Sequence, residues 1–495
     1  MDCIPTEVLE KILSYLDLPQ LIPLSHVCSR WREVITRRHF HPYLVNQEFS
    51  VQKQLQAANW DRVCQDDILI RSLFWRVYKH LEEAWSNANP SRKDTTVGVF
   101  SPGDAPSHRV TDMVVFKDKL YLAMEGCLVN VHDINDFQLI DTLEGGEDVG
   151  GEHLTRSCQV VRHCNTLAVS SPGRDKVRLY NCETDEMVGE IETRLGPIYN
   201  LAMNDRLLVC LSGWSCLSWR INSSSPETVR GQFQGMIPDF QPSDQFQNWL
   251  EIHAAVINNT WLVTRATRMR TQVGIGDTRS VSFLHVRRVG PDGHIGDPIR
   301  PDSAAMPENV VEMNSMTLSE NNLLAVLVMV KGGGSAIRGV QQLGYVIQVL
   351  DVSSGDMVAS LPTESILASV QMPVCWRGEK LFVKIVPKPV GGFYSSEEGD
   401  EEDEYQISLA NWDITTNQLS SIPGAQVGSS TDLISVELAR LVVVSTKFSH
   451  RPLSHLEFDT DLETLAHMEA DLNPENGPKF TVKVELYDFW NLAES

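Results

Sequence analysis

The side chains that could carry chemistry in this sequence are scattered, and their spacing decides against most of them. Gly332-Gly333-Gly334 with Gly339 has the glycine density of a phosphate-cradling loop. No Lys-Ser/Thr follows it, however, and the run lies between strand-like segments without opening a helix. A zinc centre needs clustered thiolates or imidazoles. The ten cysteines run from Cys3 to Cys375 with no CxxC pair, and the nearest, Cys158/Cys164 and Cys210/Cys216, have five residues between them. The alternating context of Cys210 and Cys216 predicts small strand residues instead. No H-E-x-x-H or G-x-S-x-G occurs, and His39 and His41 fall at the end of a helical pattern. The carboxylates of Glu397 to Glu404 are too crowded for a paired acid and base, and read as an extended solvated loop. No catalytic, metal or cofactor site is therefore expected.

One set of residues remains. Between Trp261 and Arg300, the basic residues Arg265, Arg268, Arg270, Arg279, Arg287, Arg288 and Arg300 outnumber Asp277, Asp292 and Asp297. Guanidinium forks bind carboxylate or phosphate bidentately. The same residues equally suit a solvated surface that balances acidic loops elsewhere.

That excess stands out because the whole chain is acidic. Its 495 residues carry 42 Lys plus Arg against 65 Asp plus Glu, a formal charge of −23. Such a surface repels phosphodiesters and anionic lipid, so nucleic acid and membranes are not expected partners. Composition is that of an ordinary soluble globular protein, at 42% hydrophobic and 22% charged. The apolar run Leu323 to Val330 falls well short of the roughly 20 residues that span a bilayer. Met1 to Glu7 shows neither the basic region nor the apolar core of a signal peptide, so a cytoplasmic or nuclear location with reduced thiols is expected. In that setting the sequons at Asn222 and Asn258 carry no glycan.

The elements that would position these residues change character along the chain. Near the N-terminus Val8, Leu9, Ile12, Leu13 and Leu16 recur at helical spacing. Pro5 suits a first turn, Glu7 suits the positive helix end, and Asp17 can cap a short segment from Leu18. A third helix carries Trp31, Val34 and Ile35 and ends at Arg37-Arg38. Three helices in some forty residues enclose little apolar area, so the stripe needs a partner.

Ile4-Pro5-Thr6-Glu7-Val8-Leu9-Glu10-Lys11-Ile12-Leu13-Ser14-Tyr15-Leu16, then Leu18-Pro19-Gln20-Leu21, then Leu24-Ser25-His26-Val27-Cys28-Ser29-Arg30-Trp31-Arg32 resembles an F-box. The Pro-x-Glu opening, the Leu-rich helix and the Val-Cys-x-x-Trp-Arg element occur together in order. Ile4 stands where Leu is usual, and Pro23 interrupts the second helix. The resemblance implies docking onto the Skp adaptor of a Skp–cullin–F-box ubiquitin ligase through Ile4, Pro5, Val8, Leu9, Ile12, Leu13, Leu16, Leu21, Val27, Cys28, Trp31 and Arg32. Residues 1–45 are assigned to this domain. Residues 46–94, with Ile68, Ile70, Leu73, Phe74, Val77, Tyr78 and Leu81 at helical spacing, are assigned to a helical linker.

From 95 to 495 the pattern is short apolar strands with turn signals. Seven recur as second strands of a unit: Leu120–Leu122, Leu167–Val169, Leu207–Val209, Trp261–Val263, Leu323–Val326, Leu381–Val383 and Leu441–Val444. Units of this length, each a four-stranded sheet, describe propeller blades. The chain stops after a third strand in unit seven, and Thr96–Phe100 is a spare strand that closes the ring if donated there. The units resemble WD-repeat propellers. Trp-Asp survives at Trp412-Asp413 and its Asp at Asp133, Asp351 and Asp488, while Gly-His is essentially missing. The expected fold is thus multidomain: a small all-α F-box, a helical linker and an all-β propeller of about seven blades.

Between second and third strands, the turns in blades one to three are short. In blades four to seven they lengthen, across Arg265–Arg279, Lys331–Leu343, Pro387–Glu404 and Ser449–Lys479, and Gln232–Asn248 joins blades three and four on the same face. Long loops on a rigid scaffold commonly carry recognition. Together the resemblances imply a substrate receptor without catalysis of its own, joined through the Skp adaptor to a cullin. Arg265, Arg268, Arg270 and Arg279 would receive an acidic or phosphorylated protein segment. The alternative is a propeller scaffold that binds the adaptor without ubiquitylation.

Overall fold

The computed structural model describes residues 5–13, 21, 24–40, 91–100, 110–124, 128–144, 158–170, 176–193, 198, 200–212, 215–222, 230–236, 248–271, 278–299, 310–331, 343–363, 373–377, 380–385, 407–427, 433–437, 440–449 and 479–488. They form an N-terminal helical unit and an all-β unit.

In the helical unit, the Pro5 carbonyl accepts the N–H of Val8 at 3.1 Å and of Leu9 at 3.0 Å, which starts the helix Thr6–Leu13. Leu9 and Leu13, four apart, point inward. The N–H of Ser25 reaches the Leu21 carbonyl at 2.9 Å, so one α-turn closes there; Pro23 and Asp17 lie outside the described residues. Cys28 is extended and precedes the helix Ser29–Ile35, and its carbonyl accepts the Arg32 N–H at 3.0 Å. The third helix does not run regularly to Arg37-Arg38 as expected. Its α-helical part stops at Ile35 and a π-turn, Thr36–Phe40, carries the chain on. Ile35, Thr36 and Phe40 are all buried, and this wider turn holds them there. Residues 41–90, most of the expected helical linker, lie outside the described residues, and 91–94 are strand.

The β unit is seven four-stranded sheets. Blade one comprises Val110–Phe116, Lys119–Met124, Leu128–Asp133 and Leu139–Glu144. Blade two comprises Val160–His163, Thr166–Ser170, Lys176–Asn181 and Met187–Glu192. Blade three has Asn200–Met203, Leu207–Ser212, Ser215–Asn222 and Arg230–Met236. Blade four has Asn248–Ile257, Trp261–Thr271, Thr278–Val289 and Ile295–Ile299. Blade five has Val310–Leu318, Leu323–Lys331, Leu343–Asp351 and Met357–Thr363. Blade six has Pro373–Arg377, Lys380–Ile385, Ile407–Asp413 and Gln418–Val427. Blade seven takes Leu433–Glu437, Arg440–Ser449 and Lys479–Asp488 from the C-terminal part, and its fourth strand is Ser91–Phe100.

The ring is closed. Each blade's first strand packs against the first strands of the blades before and after it, all the way round. Second strands are buried on both faces, because successive side chains point to opposite neighbours. Leu120 and Leu122 join a core with Val442, Val444 and Val484 of blade seven, whereas Tyr121 and Ala123 join one with Val160 and Leu167 of blade two. The donated strand begins at Ser91, ahead of the expected Thr96. Asp94 on it meets Lys483 of the adjoining strand at 2.9 Å.

Candidate interaction surfaces

On the helical unit, the residues implied as adaptor-binding separate by burial. Leu9 (1% exposed), Leu13 (0%) and Leu21 (1%) are core. Val8 (48%), Ile12 (47%) and Val27 (55%) are large aliphatics left in solvent, and Pro5 is exposed beside them in sequence. Cys28, Trp31 and Arg32 are half-buried; Ile4 and Leu16 lie outside the described residues. The outward aliphatics sit on a fixed pair of elements: Arg30 Nη2 donates to Thr6 Oγ1 at 3.2 Å, and Arg32 Nε to the Ser25 carbonyl at 3.4 Å.

On the propeller, blade four departs from the expected long loop. Arg265, Arg268, Arg270 and Arg279 all lie in strands, with Arg265 opposite Leu284, Arg268 opposite Val281 and Arg270 opposite Arg279. Residues 272–277 between them lie outside the described residues. Thr264, Thr267 and Thr271 supply β-branched residues beside the arginines in sequence, and Thr267 Oγ1 pairs with Ser282 Oγ across the ladder at 3.2 Å. Arg265 is half-buried, and its Nη1 donates to the Met313 carbonyl of blade five. In blades five to seven the interruptions 332–342, 386–406 and 450–478 lie outside the described residues, as does the acidic run from Glu397. The Gln232–Asn248 connection shortens, because Arg230–Met236 is strand.

Among the described residues, the opposite face carries tight turns, and they hold hydrogen bonds that spacing alone did not reveal. Asn204 Oδ1 accepts the N–H of Arg206 at 2.9 Å and of Leu207 at 2.7 Å, while its Nδ2 donates to the Asn258 carbonyl at 2.8 Å. Asn258 repeats the arrangement one blade on: Oδ1 takes the N–H of Thr260 and Trp261 at 2.9 and 2.8 Å, and Nδ2 donates to the Ser319 carbonyl at 2.8 Å. Blades three, four and five are thereby stitched turn to turn. The sequon at Asn258 is thus a buried structural amide. Between blades one and two, Asp185 receives Tyr121 Oη at 2.8 Å and Lys119 Nζ at 2.5 Å. The Asp133 and Asp413 of the Trp-Asp series, with Asp351, close third-to-fourth-strand turns by accepting N–H groups of Asn135, Thr415 and Ser353 at 2.7, 3.0 and 2.8 Å.

Ionisable groups inside the ring are structural. Asp112 on the first strand of blade one accepts the N–H of Val160 in blade two at 3.1 Å and of its neighbour Met113 at 2.9 Å. Burial pushes its pKa up to about 6 against the pull of these donors. Burial raises the thiol pKa values of Cys210 and Cys216, two small residues inside the sheets. Among the described residues, no group of three or more His, Cys, Asp or Glu is placed to hold a metal ion, and no helix is long and apolar enough to cross a membrane.

Comparison with known proteins matches these units separately. Residues 1–44 match the F-box-like family. The chain therefore carries an F-box-like domain ahead of a seven-blade β-propeller. No curated protein matches the chain. Solved structures similar to it include RRP9 WD40 repeats, at 8% identity over 80% of this chain and 100% of that one with a TM-score of 0.39. U3-55K matches at 10% identity over 70% of this chain and 90% of that one, with a TM-score of 0.39. Hsv2 of Kluyvelomyces marxianus matches at 12% identity over 72% and 92%, with a TM-score of 0.35.

Proposed function

We propose that the chain is the substrate-recognition subunit of a Skp–cullin–F-box ubiquitin ligase. The N-terminal helices bind the Skp adaptor and through it a cullin scaffold, while the propeller holds the protein to be ubiquitylated. One observation carries this reading: an F-box-like sequence with Val8, Ile12 and Val27 exposed is joined in one chain to a closed seven-blade ring. Covering a large aliphatic side chain contributes about 1.5–3 kcal/mol when it is wholly exposed beforehand, so these half-exposed residues supply roughly half of that each. The chain performs no bond-breaking step in this scheme. It supplies proximity between a target lysine and a ubiquitin-charged enzyme.

The test is affinity purification of the tagged full chain from cells under proteasome inhibition. Recovery of the Skp adaptor together with a cullin supports the reading, as does a co-purified protein whose turnover slows when the chain is depleted. Recovery of the adaptor without the cullin would overturn it in favour of a non-ubiquitylating scaffold.

A further inference from the structure

Blades six and seven are each held on their outer sides by apolar cores. In blade six, Leu381, Val383, Ala410 and Trp412 pack in a core with blade five. Alternation therefore turns Phe382, Lys384, Leu409 and Asn411 toward blade seven. In blade seven, Val442, Val444, Val482, Val484 and Leu486 pack in a core with blade one. Val443, Lys483 and Glu485 are thus turned toward blade six.

Of these seven residues facing the seam, four are polar and three of the four carry charge. Lys384 is 4% exposed and Glu485 7%, so charge on both walls is buried. Lys483 Nζ lies 2.6 Å from Glu485 Oε1 and 2.9 Å from Asp94 Oδ2 of the donated strand. Asn411 Oδ1 is buried without a hydrogen-bond partner. The first strands repeat the contrast: Pro373–Arg377 and Leu433–Glu437 make the least contact of any adjacent pair around the ring.

We infer that the seam between blades six and seven is an ionic latch, at which blade seven parts from blade six while staying joined to blade one. An apolar seam holds by keeping its surface from water. Charges in a seam give back much of their attraction as lost hydration. A partly exposed pair such as Lys483 and Asp94 is also screened by added ions, so the latch loosens as salt rises. Blade seven moves with its donated strand, which Asp94 ties to Lys483 inside the same blade. The chain enters the ring at Ser91, so the residues ahead of it are tethered to the blade with the loosest wall. This holds whether or not the receptor reading does.

The experiment is alkylation of the native full chain by N-ethylmaleimide, read site by site by peptide mass spectrometry at low and high sodium chloride. Val442 and Val443 are neighbours, 0% and 1% exposed, that face opposite seams. Val443→Cys should react roughly tenfold or more faster than Val442→Cys, because local opening reaches the first site and only wider unfolding the second. It should also outpace the native Cys210 and Cys216, which are buried in the seams on either side of blade three. Added salt should speed the reaction of Val443→Cys and leave that of Val442→Cys unchanged. Adding Lys384→Met with Glu485→Leu makes both walls apolar, which should slow Val443→Cys and remove its salt dependence. Both cysteine variants must keep the wild-type unfolding midpoint. Should either fail, Leu409→Cys against Ala410→Cys repeats the comparison from blade six, Leu409 facing blade seven and Ala410 blade five. Equal rates at the paired sites, or a rate at the seam site that salt does not change, would overturn the proposal.

Discussion

Replacing Asn258 by Ala removes the side chain that joins blades four and five at their tight-turn face. Four bonds go: from Thr260 and Trp261 N–H to Oδ1, and from Nδ2 to the Ser319 carbonyl and to Asn322 Oδ1, the last at 3.3 Å. Asn258 is buried, so water does not readily replace it. A hydrogen bond contributes about 1 kcal/mol net, and a buried group left without a partner costs about 1–3 kcal/mol. Two partly rescued N–H groups and one carbonyl therefore sum to a loss of about 3–4 kcal/mol. Asn259, exposed and adjacent, is the matched control, and its change to Ala should stay within about 0.5 kcal/mol of wild type. Equilibrium urea denaturation gives the free energies, and amide hydrogen exchange at Thr260 and Trp261 locates the loss. An Asn258→Ala protein within 1 kcal/mol of wild type, or one no worse than Asn259→Ala, would refute the stitching argument.

Asp112 binds its proton more tightly when folded (about pH 6) than at its ordinary 3.8, so native stability falls as pH rises between those values and is level above them. The stability of Asp112→Asn relative to wild type should accordingly improve by about 3 kcal/mol from below pH 4 to pH 7; a pH-independent difference would contradict the buried carboxyl. Burial lowers the pKa of His132, so the stability it supports is present above about pH 6.5 and lost as pH falls, a trend that His132→Gln should flatten in acid-titrated denaturation. Phe137 is buried with φ 60°, a left-handed backbone that costs a non-glycine residue about 1–3 kcal/mol. Thermal scans should therefore rank wild type above Phe137→Gly and Phe137→Gly above Phe137→Ala, the reverse of the usual preference for Ala over Gly. A chain beginning at residue 91 should unfold cooperatively, while one beginning at 101 exposes blade seven's edge and aggregates; equal light scattering from both would mean that Ser91–Phe100 does not close the ring.

What was legible in the sequence follows from where each strand sits. Leu207-Leu208-Val209-Cys210-Leu211 is an unbroken apolar run because both its faces meet other blades, and the six equivalent runs stand out for the same reason. Outer strands such as Leu139–Glu144 bury only Leu143 and give almost no pattern. The blade-four hairpin reads as a loop in the sequence because Arg265–Thr271 and Thr278–Ser282, which are strand, show no apolar alternation. The turn amides had a signal that went unread: Asn204 and Asn258 each stand three residues before a second strand, a spacing at which Oδ1 reaches the N–H groups that open it. In the F-box-like helices, spacing marked Val8, Leu9, Ile12 and Leu13 as one stripe. Spacing alone could not divide that stripe into inward Leu9 and Leu13 and outward Val8 and Ile12, because the division depends on which neighbouring helix covers it.

That division selects the most direct test of the receptor reading. Leu9→Lys would probe only folding of the helices, whereas Val8→Lys with Ile12→Lys changes the exposed side and leaves the buried residues in place. Purified Skp adaptor titrated into the full chain by calorimetry should bind the wild type with one-to-one stoichiometry, and binding to the Val8→Lys/Ile12→Lys protein should be lost while its unfolding midpoint is unchanged. No binding to the wild type, or equal binding to both, would contradict the account.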